Sequence, residues 1–98
     1  MPLVELAAVA ESLPTAWKSR ILASVGAANI KVLRMDEHPG EEEIHDYNEG
    51  LLVVEGRMML EVDGESLTVE SGGLYIAPAG VPHTVLPGSR GTLVIIDL

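Results

Sequence analysis

Over most of this chain apolar and polar positions alternate, in short runs broken by turn-forming residues. In "RMMLEVDGESLTVE", Met58, Leu60 and Val62 fall on one side of an extended backbone and Met59, Glu61 and Asp63 on the other, while Leu67 and Val69 oppose Thr68 and Glu70. That period predicts two strands, each with one buried and one wet face. Asp63-Gly64 between them supplies the positive φ angles of a tight hairpin. Ile21–Val25 and Ile30–Met35, flanking "GAAN", predict a second hairpin. After the acidic break "DEHPGEEE", turns are expected at Glu55-Gly56, Asp63-Gly64, Ser71–Gly73, Pro78–Pro82 and Pro87–Gly91, which delimit about five further short strands. "TLVIID" is apolar on both faces, the pattern of a strand enclosed by two layers. Ahead of the strands, Leu3–Ser12 predicts one short helix ended at Pro14, because the residue before a proline is pushed out of the helical region. Seven or more short strands at a spacing of roughly ten residues argue an antiparallel sandwich or barrel; a parallel sheet would need crossover helices.

Composition narrows the picture. A chain of 98 residues is read as one domain, residues 1–98, without internal repeats or low-complexity segments. At this size folding buries only about 60–65% of the unfolded surface, so a partner subunit would help. There is no cysteine, which removes disulfides, thiolate metal sites and cysteine nucleophiles together. Fifteen acidic against six basic residues give a formal net charge of −9, so nucleic acid and acidic membrane surfaces are not expected partners. The opening "MPLVELAAVAESLP" contains Glu5 and Glu11, lacks a basic start and is too short to span a bilayer. The expectation is a soluble cytoplasmic protein.

Chemistry concentrates in two places. In "EIHDYNE", Glu43, His45 and Glu49 share one parity, so an undistorted strand would project all three toward the side that continues as Leu51 and Val53. Carboxylates and an imidazole facing an aliphatic interior carry a large desolvation cost, which a cation offsets directly. The same stretch also reads as a solvated acidic loop, its carboxylates reflecting only the acidic bias of the whole chain. The second place is "GGLYIAPAGVPHTV", where Pro78, Gly80 and Pro82 fix a tight loop leading into His83. That rigidity suits a ligand held in position, although a histidine at a strand start is also a common surface residue.

Together these segments resemble the cupin superfamily, whose small members are jelly-roll barrels carrying two linked motifs. The first motif runs through a glycine, two histidines flanking one residue, a glutamate and a glycine. His45, Glu49 and Gly56 match it, with "GLLVVE" as the spacer after Glu49. The second runs through glycine, proline, glycine, histidine and asparagine, and Gly72, Pro78, Gly80 and His83 match its spacings. Glu43 stands at the first histidine position, Glu37 at the leading glycine, where Gly40 falls a little later, and Pro87 at the terminal asparagine. The resemblance covers about residues 32–98 and leaves about 1–16 as an N-terminal extension.

The resemblance implies an all-β double-stranded β-helix, the jelly-roll barrel, with the short N-terminal helix added. It implies that His45, Glu49 and His83 are ligands of one divalent transition metal ion, with Glu43 replacing an imidazole. Two His and two Glu donors form a hard set, suited to Mn, Fe, Zn or Ni rather than Cu(I). The expected pocket, lined by Leu51, Val53, Met58, Tyr75 and Val85, takes a small-molecule ligand or substrate. Family members of this kind include metal-dependent enzymes of dioxygenase or isomerase type and non-enzymatic ligand-binding or sensor modules, so both classes stay open. A homodimer is expected, with Trp17 and Ile21 at or near the contact. The alternative is that Leu3–Leu13 folds back as a helix and covers the edge within one chain.

Overall fold

A computed structural model describes residues 3–98; residues 1 and 2 of the expected extension lie outside the described residues. Helix α1 spans Leu6–Ser12, and seven strands follow: β1 Arg20–Val25, β2 Ala28–Met35, β3 Glu49–Val62, β4 Glu65–Glu70, β5 Leu74–Ala77, β6 His83–Val85 and β7 Arg90–Asp97. Every pairing is antiparallel, in the order β1-β2-β7-β3-β4, with β5 and β6 also paired to β3. The fold is the expected all-β jelly roll.

The 14-residue β3 organises it. Its first half lies between β7 and β5, and its second half between β4 and β6, so one strand serves both layers. This is where the structure corrects the expected turn at Glu55-Gly56: the strand runs straight through. The register slips between Val53 and Glu55, and the slip changes which parity is buried. Before it Glu49, Leu51 and Val53 are buried; after it Met58 and Leu60 are. Both halves thereby face one interior. Gly56 makes the bend feasible, with φ +82° and a backbone crossing so close that a Cβ there would sit 2.1 Å from the Arg90 carbonyl oxygen.

The resulting core packs Leu33, Met35, Leu51, Val53, Met58, Leu60, Val69, Ala77 and Leu93 between the layers. A second, smaller cluster explains why "TLVIID" is apolar on both faces. Val94 and Val32 on the outer side of the sheet are covered by Ala10, Leu6 and Val9 of α1. The helix folds back within the chain, but onto the outer face of β2 and β7; it leaves the edge strand β1 largely exposed, so the edge is not covered as the alternative to the dimer contact expected. Leu13, at φ −69° and ψ 131°, has left the helix ahead of Pro14.

The chain then crosses to the mouth of the barrel. Arg34 donates to the Leu13 carbonyl at 3.0 Å, and the Trp17 amide donates to the Arg34 carbonyl at 2.8 Å. Trp17 packs against its own core, and its indole N–H donates to Asp36 Oδ1 at 2.9 Å. Ile21 and Val25 on the edge strand β1 remain 60% and 65% exposed. Among the described residues no helix is long and apolar enough to cross a membrane.

Candidate metal centre and cavity

Glu43, His45, Glu49 and His83 converge, but not as strand parity alone would have it. Only Glu49 belongs to β3, and residues 44–48 are an irregular loop. Glu43 reaches the site by pairing with His83 instead: its amide donates to the His83 carbonyl at 2.8 Å, and the His83 amide donates to the Glu43 carbonyl at 2.9 Å. His45 is placed by the proline-rich loop, because the Gly80 amide, at φ +76°, donates to the His45 carbonyl at 2.8 Å. Asn48 Oδ1 accepts from the Ala79 amide at 2.9 Å, stapling the acidic loop to the same turn. The Tyr47 ring stacks on the His45 imidazole at 5.0 Å and 18°. The "APAGVP" turn thus positions two of the four side chains, His83 by sequence and His45 through space.

One nitrogen or oxygen atom from each of the four residues lies within 4.8 Å of all the others. His83 Nε2 is 3.2 Å from Glu49 Oε1 and 3.7 Å from Glu43 Oε2, while His45 Nε2 is 3.6 Å from Glu49 Oε2 and 3.9 Å from Glu43 Oε2. Four donors each about 2.0–2.1 Å from a tetrahedral ion would be roughly 3.3–3.4 Å apart, so the cluster is close to the right size. His45 Nε2, Glu49 Oε1 and His83 Nε2 are buried and make no hydrogen bond. Buried polar atoms are normally paired, and three orphans aimed at one point fit a cation. Burial pushes the Glu49 carboxyl above its ordinary range; the charges of Glu43 and Asp97 add to this, and His45 and His83 oppose it. A positive ion among these groups would reverse that balance.

Beside the cluster opens a cavity of about 570 Å³. Leu51, Met58 and Val85 form part of its wall, together with Leu33, Leu93 and Ile95. Val53 and Tyr75, expected in the pocket, are not part of that wall. Val53 is wholly enclosed in the core, and Tyr75 on β5 packs against that core from its edge. The structure adds polar wall residues that sequence reasoning passed over: Lys31, Tyr47 and Asp97. Lys31 Nζ donates to Asp97 Oδ2 at 2.8 Å, and this bond raises the Lys31 pKa, holding it cationic. Burial, reinforced by the charges of Asp97 and Glu49, raises the Tyr47 pKa and keeps the phenol neutral. The signal for Lys31 and Asp97 was in the alternation: each shares parity with inward residues of its strand, Leu33 and Ile95 respectively.

Residues 33–98 match the cupin domain family Cupin_2. No curated protein matches the sequence. Solved structures of the same fold include a cupin-2 domain containing protein from Shewanella frigidimarina, at TM-score 0.88 and 20% identity over 98% of this chain and 94% of that one. A protein from Neisseria meningitidis superposes at TM-score 0.83 with 22% identity, covering 98% of both chains. A cupin superfamily protein from Desulfitobacterium hafniense reaches TM-score 0.82 and 20% identity over 97% of this chain and 88% of that one. At such identities the likeness is one of fold.

Proposed function

The chain belongs to the cupin domain family, and from that premise we propose that Glu43, His45, Glu49 and His83 hold one divalent transition metal ion that orients a small molecule in the adjoining cavity. The observation that carries the reading is the set of three buried donor atoms, on His45, Glu49 and His83, that face one another without a hydrogen bond. Two imidazoles and two carboxylates suit Mn, Fe, Zn or Ni. Bound there, the ion would supply Lewis-acid or redox chemistry to an oxygen-bearing ligand. The protein's own residues do the rest. Leu33, Leu51, Met58, Val85 and Leu93 provide a water-poor wall for the apolar part of the ligand. His83, 4% exposed, and Glu49, 5% exposed, are held rigidly at the start of their strands, while Glu43 is largely exposed at the rim.

That exposed carboxylate, standing where the family pattern has a histidine, favours a weaker site and supports a metal-free ligand-binding module as the second reading. Elemental analysis of protein purified without a His-tag or added metal separates the two. About one ion per chain is expected, with His83→Ala losing most of it. At free metal one hundred times its Kd, the bound ion adds about 2.7 kcal/mol, on the order of 10–20 °C in Tm for a domain this small. His83→Ala should abolish that increment whatever it does to the metal-free Tm. Near-zero metal in the unmutated protein, even after incubation with Mn, Fe, Zn and Ni, overturns the metal reading in favour of the module. Oxygen consumption by the loaded protein distinguishes a redox enzyme from a binding module.

The homodimer belongs to the same proposal. Its support is the edge strand β1, where Ile21 and Val25 stay exposed after α1 has folded back elsewhere.

A further inference from the structure

The wall of the cavity next to the four-residue cluster holds a second polar group with an unmet requirement. Asp97 is 8% exposed; its Oδ2 accepts from Lys31 at 2.8 Å, and its Oδ1 is buried without any partner. Lys31 Nζ has three N–H donors, of which Asp97 Oδ2 takes one. Lys31 and Asp97 both line the cavity, and together they hold spare donors and one unpartnered acceptor that is enclosed in this conformation. Water or a ligand must answer an orphaned buried carboxylate oxygen, since leaving it unpaired costs stability.

Their place in the sheet is fixed by register. Gly50 pairs with Ile96, so Glu49 and Asp97 stand opposite each other one residue further along, on the same inward face as Leu51 and Ile95. Lys31 pairs with Ile95 on the next strand, diagonal to Asp97. Side chains directly opposite in an antiparallel pair have Cβ atoms about 4.5–5.5 Å apart, so this pair begins one strand away from Glu49.

From this juxtaposition we infer that Lys31 and Asp97 form a specificity subsite that reads an uncharged hydroxyl group on a small ligand whose other end reaches the Glu43–His45–Glu49–His83 cluster. With a small rotation of the Asp97 carboxylate toward the cavity, a hydroxyl donates to Oδ1 and accepts from Lys31 Nζ at once. A carboxylate can accept from Lys31 but leaves Asp97 Oδ1 unanswered and adds a negative charge. It would do so in a wall where Lys31 is the one Lys or Arg against Glu41, Glu43, Glu49 and Asp97 among the described residues. A purely apolar group leaves both partners bare. The inference rests on the proposed metal site, because the ion anchors the other end. With Cβ atoms of opposite residues only about 4.5–5.5 Å apart, short chains of about three to five carbons are the lengths to scan.

The test uses Co(II)-loaded protein, whose visible absorption reports a ligand entering the coordination shell. Three pairs of acids are titrated: propionate, butyrate and valerate, each against its terminally hydroxylated counterpart, with succinate as the dianionic control. At least one hydroxy acid should bind about tenfold or more tighter than its parent, the scale of one hydrogen bond to a charged group, and succinate should bind no tighter than butyrate. The double variant Lys31→Met/Asp97→Leu replaces both partners with apolar side chains of similar size, a change buried ion pairs often tolerate. It should still take up Co(II) and should bind each hydroxy acid and its parent within about twofold of each other. Equal binding within all three pairs in the unmutated protein, tighter binding of succinate, or a hydroxyl preference that survives in the double variant would each overturn the subsite while leaving the metal site standing. If the double variant does not fold, the titrations of the unmutated protein decide alone. Failure of the unmutated protein to take up Co(II) overturns the metal site and this inference together.

Discussion

Glu49 is the residue whose environment makes the sharpest demand. It sits at the first position of β3, 5% exposed, with Glu43 and Asp97 adding negative potential that the two imidazoles oppose. Burial raises its pKa above the ordinary carboxyl range. For a carboxyl raised in the folded state, the associated stability is fully present below the unfolded pKa and is lost as pH rises through the folded one. Metal-free protein therefore loses stability at Glu49 as the pH rises toward neutrality. Glu49→Gln removes the carboxylate charge at nearly constant size. Without metal, the variant is expected to melt above the unmutated protein at pH 7, with the difference vanishing near pH 4. With saturating Zn or Mn the order should invert, because the unmutated chain gains the ion's stabilisation and the variant has lost a charged ligand. Calorimetry at the two pH values, with and without metal, reads all four arms. A Gln variant that melts lower in every arm would show that Glu49 is held by ordinary packing and polar contacts rather than kept for a cation.

At the scale of elements, β3 and its partner β7 carry the architecture. They cross at Gly56 and Gly91, where a Cβ would sit 2.1 Å from the Arg90 carbonyl oxygen and 2.0 Å from the Glu55 carbonyl oxygen respectively. Gly64 shares the φ of +82° but has nothing within 4 Å, so it isolates the cost of the conformation from that of the collision. Gly64→Ala should cost about 1–2 kcal/mol for left-handed strain. Gly56→Ala should cost clearly more, because the paired strands must also separate, and denaturant melts of the two variants check the difference. Equal costs would mean that the crossing has slack. This element also shows why the sequence was only partly readable. The inward sets Leu51, Val53 and Met58, Leu60 were both legible from alternation, and so was a break between them. A Glu-Gly pair that turns the chain and one that bulges a continuous strand look the same locally, and only pairing with the distant Gly91 decides. The same holds at the site. Motif spacing singled out His45, Glu49 and His83, whereas parity misjudged how Glu43 arrives, because its position depends on a bridge to His83 forty residues away. Lys31 and Asp97 were missed since each was submerged in an apolar run.

For the molecule as a whole, the question is what covers β1. The fold-back of α1 buries Val32 and Val94 on the outer face of the sheet, yet along β1 only Leu22 is even half-buried. The strand ends the order β1-β2-β7-β3-β4, so one side of its backbone is left without a strand partner. An edge of that kind, bearing Ile21 and Val25, invites pairing with another chain unless it is charged or blocked. Arg20 at its start is the only charge on it. A two-fold contact between β1 strands would extend the sheet through the dimer and remove both apolar side chains from water, which a domain with so small a core needs. Trp17 has turned inward onto its own core and contributes to the barrel mouth instead. Light scattering on dilute protein is expected to give twice the 10.4 kDa chain mass. Ile21→Lys combined with Val25→Lys should return it to the monomer. Both positions are more than half exposed in the single chain, so the change should alter the barrel's own stability by no more than about 0.5 kcal/mol per site. A mass of one chain that does not rise with concentration, or a lysine variant that remains a dimer, would rule out assembly through this edge.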